Sequence, residues 1–309
     1  MCCANALHAQ ADYPVKPVRL VVAFPPGDPT DLVSRVLAQK MSEQMGQQVV
    51  VDNRPGANGN FAAEVVAKSA PDGYTVFYNT SAIALSPALY AKLGYDVLAD
   101  FSPVALTAVV PLVLAVHPSM PMANVREFVA YAKAHPGKLT YGSAGNGNVT
   151  HLASFLFLQA NGIDAVHAPY KGSAPALTDA AGGQVQFITD TINSALPFIK
   201  DKRLRALAVT SARRTTVLPE VPTLAETLMP GFEVGAWQGM LVPAGTPPAV
   251  VRRLSQEVNK ALASPEVKAR LAVQGAEPLG STPEQYGAYI RGELERWAKV
   301  VKQIGAKLD

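Results

Sequence analysis

Short segments rich in glycine, serine, threonine and asparagine follow predicted strands and precede predicted helices along this chain. The first N–H groups of a helix have no partner inside it, and the helix dipole makes the space before them favourable for an anion. Hydroxyl and amide side chains add further donors and acceptors. The candidate binding residues in these segments are Pro26, Gly27, Asp28, Thr30, Asn79, Thr80, Ser81, Ala82, Ser143, Ala144, Gly145, Asn146, Asn148, Thr150, Tyr170, Lys171 and Asp190.

The first of these segments, Phe24 to Asp31, is a rigid turn built from proline and glycine. It joins an apolar strand signal to an amphipathic helix predicted over residues 31–45, with Gly46 as its stop. We expect Thr30 to cap this helix and Asp31 to favour its dipole, so that Asp31 has a structural role.

Two enzymatic or cofactor-binding interpretations fail on spacing. Gly142 directly precedes Ser143, whereas a nucleophile elbow needs its first glycine two residues before the serine, where this chain has Tyr141. The stretch 145–147 resembles part of a dinucleotide fingerprint, yet Thr150 stands at the third glycine position and Asp164 comes before the next strand. We therefore predict a protein without catalytic residues and without a cofactor.

The histidines predict no metal site. His151 is expected to brace its loop, with contact to a ligand as the alternative. His8, His117, His135 and His167 lie in unconnected sequence contexts, and none stands at ligand spacing from His151. Tyr170 and Lys171 fit a pocket edge and a solvated turn equally well.

Composition indicates a two-domain globular protein. The chain has 309 residues, 49% of them hydrophobic, and a formal net charge of +3 from 27 basic and 24 acidic residues. The charges are interspersed, which argues against nucleic acid as a partner. Cys2 and Cys3 are the two cysteines, and their absence elsewhere suits an oxidising compartment. The sequence Ala9-Gln10-Ala11 resembles the end of a secretory signal peptide.

Strand and helix signals alternate through most of the chain, which predicts α/β architecture with doubly wound parallel sheets. The run 104–116 is interpreted as a crossing strand pair because proline interrupts it, and residues 232–242 as a crossing back. Two hinged lobes follow, with Trp237 and Phe232 in the core between them. The predicted domains are a signal-peptide remnant at 1–11, lobe 1 at 12–103 plus 230–309, and lobe 2 at 104–229. The C-terminal region is predicted to be helical with a break at 276–282, and residues 293–299 to form a solvated face.

Several motifs together carry a resemblance to a known family. The first lobe supplies Phe24-Pro25-Pro26-Gly27 with Thr30-Asp31, and the second supplies Gly142-Ser143-Ala144-Gly145 with His151. Further matching motifs are Tyr13-Pro14, Lys16-Pro17-Val18-Arg19, Gly46-Gln47, Asp52-Asn53-Arg54-Pro55-Gly56-Ala57, Ala70-Pro71-Asp72-Gly73-Tyr74 and Pro169-Tyr170-Lys171-Gly172. From about Tyr13 onward the chain resembles the Bug family, the periplasmic solute-binding proteins of tripartite tricarboxylate transporters.

The resemblance implies a type II-like, two-lobe "Venus flytrap" fold that captures a small carboxylate in the periplasm. Di- or tricarboxylates, acidic amino acids and aromatic carboxylates are the candidate ligands. A monomer would deliver the ligand to the membrane permease subunits; the alternative is signalling to a sensor kinase. Family pockets grip the carboxylate with loop amides, hydroxyls and ordered waters, which would place it at 27–31, 80–82, 143–150 and around Asp190.

One pair of residues departs from the family pattern. Another glycine or two usually follows Phe-Pro-Pro-Gly, whereas this chain has Asp28-Pro29. A carboxylate there would repel an anionic ligand unless it points away or is protonated, and proline removes an N–H donor. We therefore hypothesise that Asp28 alters ligand choice toward a ligand with an amino or hydroxyl group near its carboxylate.

Overall fold

A computed structural model describes residues 13–304, so Ala9-Gln10-Ala11 and the two cysteines lie outside the described residues. The described chain divides into two compact units. Unit 1 comprises residues 13–109 and 237–298, and unit 2 comprises residues 110–236 and 299–304. Within this described range, no helix has the length and apolar character needed to cross a membrane.

Unit 1 begins with alternating strands and helices, as the sequence predicts. Its elements are β1 (Val18–Val22), α1 (Pro29–Met45), β2 (Val49–Asn53), a 3₁₀ turn (Ala57–Gly59), α2 (Asn60–Ala67), β3 (Thr75–Thr80) and α3 (Ala82–Leu89). Gly46 ends α1 in the left-handed conformation, as expected. Helix α3 was not predicted, since its sequence is mostly apolar without helical periodicity and contains Pro87.

The next strand, β4, runs unbroken from Phe101 to Val116 and belongs to both units. The predicted pair of crossing strands is therefore wrong. Pro111 lies between the part of β4 that pairs with residues 277–278, which ends at Val109, and the part that pairs with residues 187–191, which starts at Leu112. The absent N–H of Pro111 therefore falls outside both of these ladders.

Unit 2 continues the alternation of helices and strands. Its elements are α4 (Val125–Ala134), β5 (Thr140–Ser143), α5 (Val149–Asn161), β6 (Val166–Pro169), α6 (Ser173–Ala181), β7 (Phe187–Thr191), α7 (Ile192–Lys200), β8 (Arg205–Val209) and α8 (Leu224–Thr227). The chain then forms β9 (Gly235–Pro243).

The C-terminal region is largely helical, with the predicted break. It contains α9 (Pro248–Ala263), α10 (Pro265–Val273), the short β10 (Glu277–Pro278) and α11 (Pro283–Ile304). Proline opens each of these helices, where its missing N–H costs nothing.

The sheet of unit 1 has the order β2-β1-β3-β9-β4, and β10 pairs with β4. Strand β1 is parallel to β2 and β3, whereas β9 is antiparallel to β3. In unit 2 the order is β8-β4-β7-β5-β6, with β5 parallel to both β6 and β7.

Helices cover the sheet of unit 2 on both faces, so alternate residues of β4 pack into two different cores. Leu114 packs in a cluster with Phe128 of α4 and Phe157 of α5. Val113 packs in a second cluster with Leu177 of α6 and other residues. A strand with period-two alternation and two apolar faces is typical of a doubly wound sheet.

The C-terminal helix α11 is not the purely solvated element that the sequence suggested. Glu293 is buried, and its Oε2 accepts hydrogen bonds from Trp237 Nε1 at 2.9 Å and Trp297 Nε1 at 2.8 Å. Arg296 lies 3.3 Å from its other oxygen. Trp237 is thus core within unit 1, while Phe232 packs against a core of unit 2.

Candidate functional site

The predicted binding residues of unit 1 gather at one edge of its sheet. Since β1 and β3 are parallel neighbours, their carboxyl ends meet, and so do the turn before α1 and the loop before α3. A small cavity of about 10 Å³, room for one water molecule, opens beside them. Its lining includes Asn58, Gly59, Asn60, Thr80, Ala82 and Tyr95.

The turn before α1 is closed by its own hydrogen bonds. Asp28 is the N-cap, and its Oδ1 accepts from Thr30 N at 2.8 Å. The prediction that Thr30 caps this helix is wrong because the helix begins before Thr30, and the carboxylate of Asp28 accepts from the backbone amide of Thr30 itself. Gly27 N donates to Asp31 Oδ2 at 2.9 Å, and Asp28 N donates to the carbonyl of Pro25.

Asp31 is the structural anchor of this turn. It is 1% exposed, and it also accepts from Arg35 Nε at 2.9 Å and Asn53 Nδ2 at 2.8 Å. Burial acts to raise the pKa of the Asp31 carboxyl, but the hydrogen bonds from Arg35, Gly27 and Asn53 outweigh it and hold the pKa below its usual value.

The residues at the end of β3 and just after it have different partners. Asn79 is fully buried, and its side chain exchanges hydrogen bonds with the hydroxyl of Tyr286. Thr80 lines the small cavity, and its Oγ1 accepts from Ala82 N at 3.3 Å. Ser81 N donates to the carbonyl of Trp237. Of these, Thr80 and Ala82 line the cavity.

Sequence reasoning missed the contribution of the 3₁₀ turn after β2. Ala57 and Asn58 have left-handed φ angles of 46° and 55°, a conformation that is costly for residues other than glycine. Tyr95 Oη donates to Asn60 Oδ1 at 2.7 Å across the cavity lining. The clustered Gly and Asn residues at 56–60 were the signal available in the sequence.

The predicted residues of unit 2 also converge, at the carboxyl ends of β5, β6 and β7. Gly172 N donates to the carbonyl of Ala144, and Tyr170 N donates to the carbonyl of Ser143. Ser173 Oγ donates to Asp190 Oδ1 at 2.7 Å. The N-termini of α5, α6 and α7 therefore lie at one edge of this sheet, as the parallel pairing requires.

The loop between β5 and α5 is braced from within. Gly145 N donates to Ser143 Oγ at 3.2 Å, and Ala144 N donates to Thr150 Oγ1 at 2.9 Å. Asn148 caps α5 by accepting from Thr150 N. Ser143 and Thr150 are buried, whereas Asn146 is exposed. The hydroxyls predicted for binding thus hold the loop in shape, and Asn146 is the member of this group that projects into solvent.

Two histidines join this loop, although the sequence analysis placed them in unrelated contexts. The rings of His151 and His167 stack in parallel with centroids 3.9 Å apart. His151 Nδ1 accepts from Gly147 N at 3.2 Å, which confirms that His151 braces the loop, and His167 Nε2 lies 2.7 Å from Ser143 Oγ. Burial lowers the pKa of both histidines to about 4, helped at His151 by the charge of His167. His167 is therefore part of the loop assembly.

Asp190 is a fully buried carboxyl group with one unsatisfied oxygen. Its Oδ1 accepts from Ser173 Oγ and from Thr191 N at 2.7 Å. Its Oδ2 has no hydrogen-bond partner among the described residues. Burial raises the pKa of Asp190 to about 6, against the opposing effect of the hydrogen bonds from Ser173 and Thr191.

The remaining predicted residues of unit 2 lie at the rim of this edge. Tyr170 Oη donates to Asp179 Oδ2 at 2.8 Å, and Lys171 is exposed. Among residues 13–304, no group of three His, Cys, Asp or Glu side chains is placed to hold a metal ion. Both edges thus present helix N-termini, hydroxyls and amides, with Lys171 as the cation among the predicted binding residues.

The fold is that of a two-lobe periplasmic binding protein, and solved structures of that class match nearly the whole chain. A structure described as R. palustris Rpa4515 with adipate has a TM-score of 0.86 and 39% identity, covering 96% of this chain and 100% of that one. The periplasmic binding protein BugD has a TM-score of 0.81 and 36% identity, covering 96% and 99%. MatC from Rhodopseudomonas palustris, with bound malate, has a TM-score of 0.77 and 35% identity, covering 94% and 100%.

The family model described as "Tripartite tricarboxylate transporter family receptor" matches residues 33–306. The BugT protein of Bordetella pertussis is 39% identical over 298 residues, which is 96% of this chain and 91% of BugT. The chain therefore belongs to the tripartite tricarboxylate transporter receptor family, which includes Bug proteins. This confirms the resemblance found in the sequence. The family is one of solute-binding receptors and not of enzymes.

Proposed function

We propose that this protein is a periplasmic receptor that binds a small carboxylate and delivers it to the membrane permease of a tripartite transporter. The observation that carries the proposal is the meeting of three helix N-termini, those of α5, α6 and α7, at one edge of the sheet in unit 2. Relatives in the same family hold adipate and malate, both dicarboxylates. We therefore favour a dicarboxylate in that size range.

Helix dipoles suit this task because they stabilise an anion without a buried cation. Each helix N-terminus is worth about 0.3–1 kcal/mol toward a nearby negative charge, and the contributions at one edge point the same way. Closure of the two lobes over the ligand remains a prediction from the sequence.

A panel of carboxylates tests the proposal by thermal shift, after native mass spectrometry of any ligand that copurifies. A ligand at 100 times its Kd stabilises the folded protein by about 2.7 kcal/mol, which raises the Tm by several degrees. The proposal fails if no carboxylate raises the Tm.

A matched pair of variants locates the site in unit 2. Asn146→Asp adds a negative charge at the exposed tip of the loop before α5, so we expect it to weaken carboxylate binding about tenfold or more. Gln184→Glu adds the same charge to an exposed residue before β7, at the opposite edge of the sheet. Equal losses in the two variants would contradict a site at the carboxyl edge.

A further inference from the structure

We propose that Asp28 selects ligands that present a hydrogen-bond donor or a positive charge beside their carboxylate. The protein would then prefer hydroxy- or amino-substituted dicarboxylates over unsubstituted ones. This inference rests on the proposed function and adds the class of ligand.

The turn that carries Asp28 has few amides left for a ligand carboxylate. The N–H groups of Gly27, Asp28 and Thr30 donate to Asp31, Pro25 and Asp28 respectively. Pro29 has no N–H. Asp28 therefore occupies the N-terminus of α1 in the place an external anion would take.

Asp28 also keeps acceptor capacity that Asp31 does not. Asp31 is buried and pairs with Arg35 at 2.9 Å. Asp28 is partly exposed, and within residues 13–304 it forms no ion pair. Its carboxylate accepts from the backbone N–H of Thr30 at 2.8 Å and also from the side chain of Thr30. An ionised carboxylate can accept about four hydrogen bonds, so the two from Thr30 leave capacity for a donor outside the protein.

The loop before α3 in unit 1 likewise offers few free amides to a ligand carboxylate. Ser81 N donates to the carbonyl of Trp237, and Ala82 N donates to Thr80 Oγ1 at 3.3 Å. Two amides next to the predicted site are thus committed within the protein. Burial raises the pKa of Asp28 against the hydrogen bonds from Thr30, and the charge of Asp31 adds to the rise. No cationic partner among the described residues offsets this effect of burial. A ligand ammonium or hydroxyl group would supply that partner.

Isothermal titration calorimetry with succinate, malate and aspartate tests the inference, because these ligands share a carbon chain and differ at one position. Adipate and 2-aminoadipate provide the same comparison in a longer chain. We expect wild-type protein to bind the substituted ligand of a pair about tenfold more tightly or better, the effect of one well-placed charge or hydrogen bond.

Asp28→Asn is the informative variant, since asparagine keeps the cap to Thr30 but removes the charge. Its preference for the amino ligand over the unsubstituted one should fall about tenfold. The preference for malate should change less, because the malate hydroxyl can accept a hydrogen bond from the Nδ2 that replaces Oδ2. Asp72→Asn is the matched control: Asp72 Oδ1 accepts from Tyr74 N with the same two-residue spacing, but it precedes β3 and so lies at the opposite edge.

Three results would overturn the inference while leaving the proposed function in place. These are wild-type protein that binds the unsubstituted ligands as tightly as the substituted ones, an unchanged preference in Asp28→Asn, and an equal change in Asp72→Asn. Wild-type protein that binds none of these ligands or any other carboxylate would instead refute the proposed function itself.

Discussion

The buried carboxyl of Asp190 should make unit 2 less stable as the pH rises. The pKa of Asp190 is about 6 in the folded protein against 3.8 for the free group, so the folded state holds the proton more tightly. This gap corresponds to about 3 kcal/mol of stability that is present below the lower pKa and is lost as the pH rises through the higher one. Asp190→Asn removes the titration but retains the acceptor for Ser173 and Thr191.

Relative to wild type, Asp190→Asn should therefore gain about 2.4 kcal/mol in unfolding free energy between pH 4 and pH 8, since part of the effect is already lost at pH 4. Urea unfolding followed by far-UV circular dichroism measures it, with hydrogen exchange of β7 amides to locate the effect. Tryptophan fluorescence would not suffice, since both tryptophans, Trp237 and Trp297, belong to unit 1. Asp164→Asn, an exposed carboxylate in unit 2, is the control. A difference between Asp190→Asn and wild type that stays constant with pH would refute the reasoning.

Other predictions concern packing and the stacked histidines. Glu293→Gln removes the charge of an acceptor that two tryptophan indoles share, so it should lower the free energy of unfolding by about 1.5–3 kcal/mol and shift the tryptophan emission. Glu295→Gln changes an exposed residue and should leave the unfolding free energy and the emission unchanged. Gly239→Ala would place a Cβ 2.1 Å from a buried tyrosine hydroxyl and should lower the Tm, whereas Gly292→Ala meets nothing within 4 Å and should not. The pKa of His167 is about 4 in the folded protein, below the ordinary 6.5, so the folded protein loses stability as the pH falls from 6.5 to 4. His167→Phe should make this loss smaller in calorimetric melts, and an unchanged loss would contradict the reasoning.

The sequence was sufficient for features fixed by local periodicity. The helix predicted over 31–45 is observed as Pro29–Met45, and its C-terminal end is correct because Gly46 is a local stop signal. The convergence of the loops followed from strand order alone, since parallel strands bring their carboxyl ends to one edge.

Features set by partners distant in sequence could not be read in the same way. Glu293 looks like a surface residue of an amphipathic helix until Trp237, 56 positions away, is placed beside it. His151 and His167 stack only because β5 and β6 pair in the observed register. Thr30 and Asp28 are both good caps, and only the backbone path decides between them.

The path of the chain through its two units has a consequence for the order of folding. Unit 2 is nearly contiguous, and its strands β5 to β8 and the second part of β4 all lie within residues 110–236. Unit 1 lacks β9, which lies between β3 and β4 in its sheet, until residue 235 onward has been made. A chain that emerges from its N-terminus can therefore complete the sheet of unit 2 first, while β3 waits with an open edge. This interval is when the protein is most exposed to misassembly.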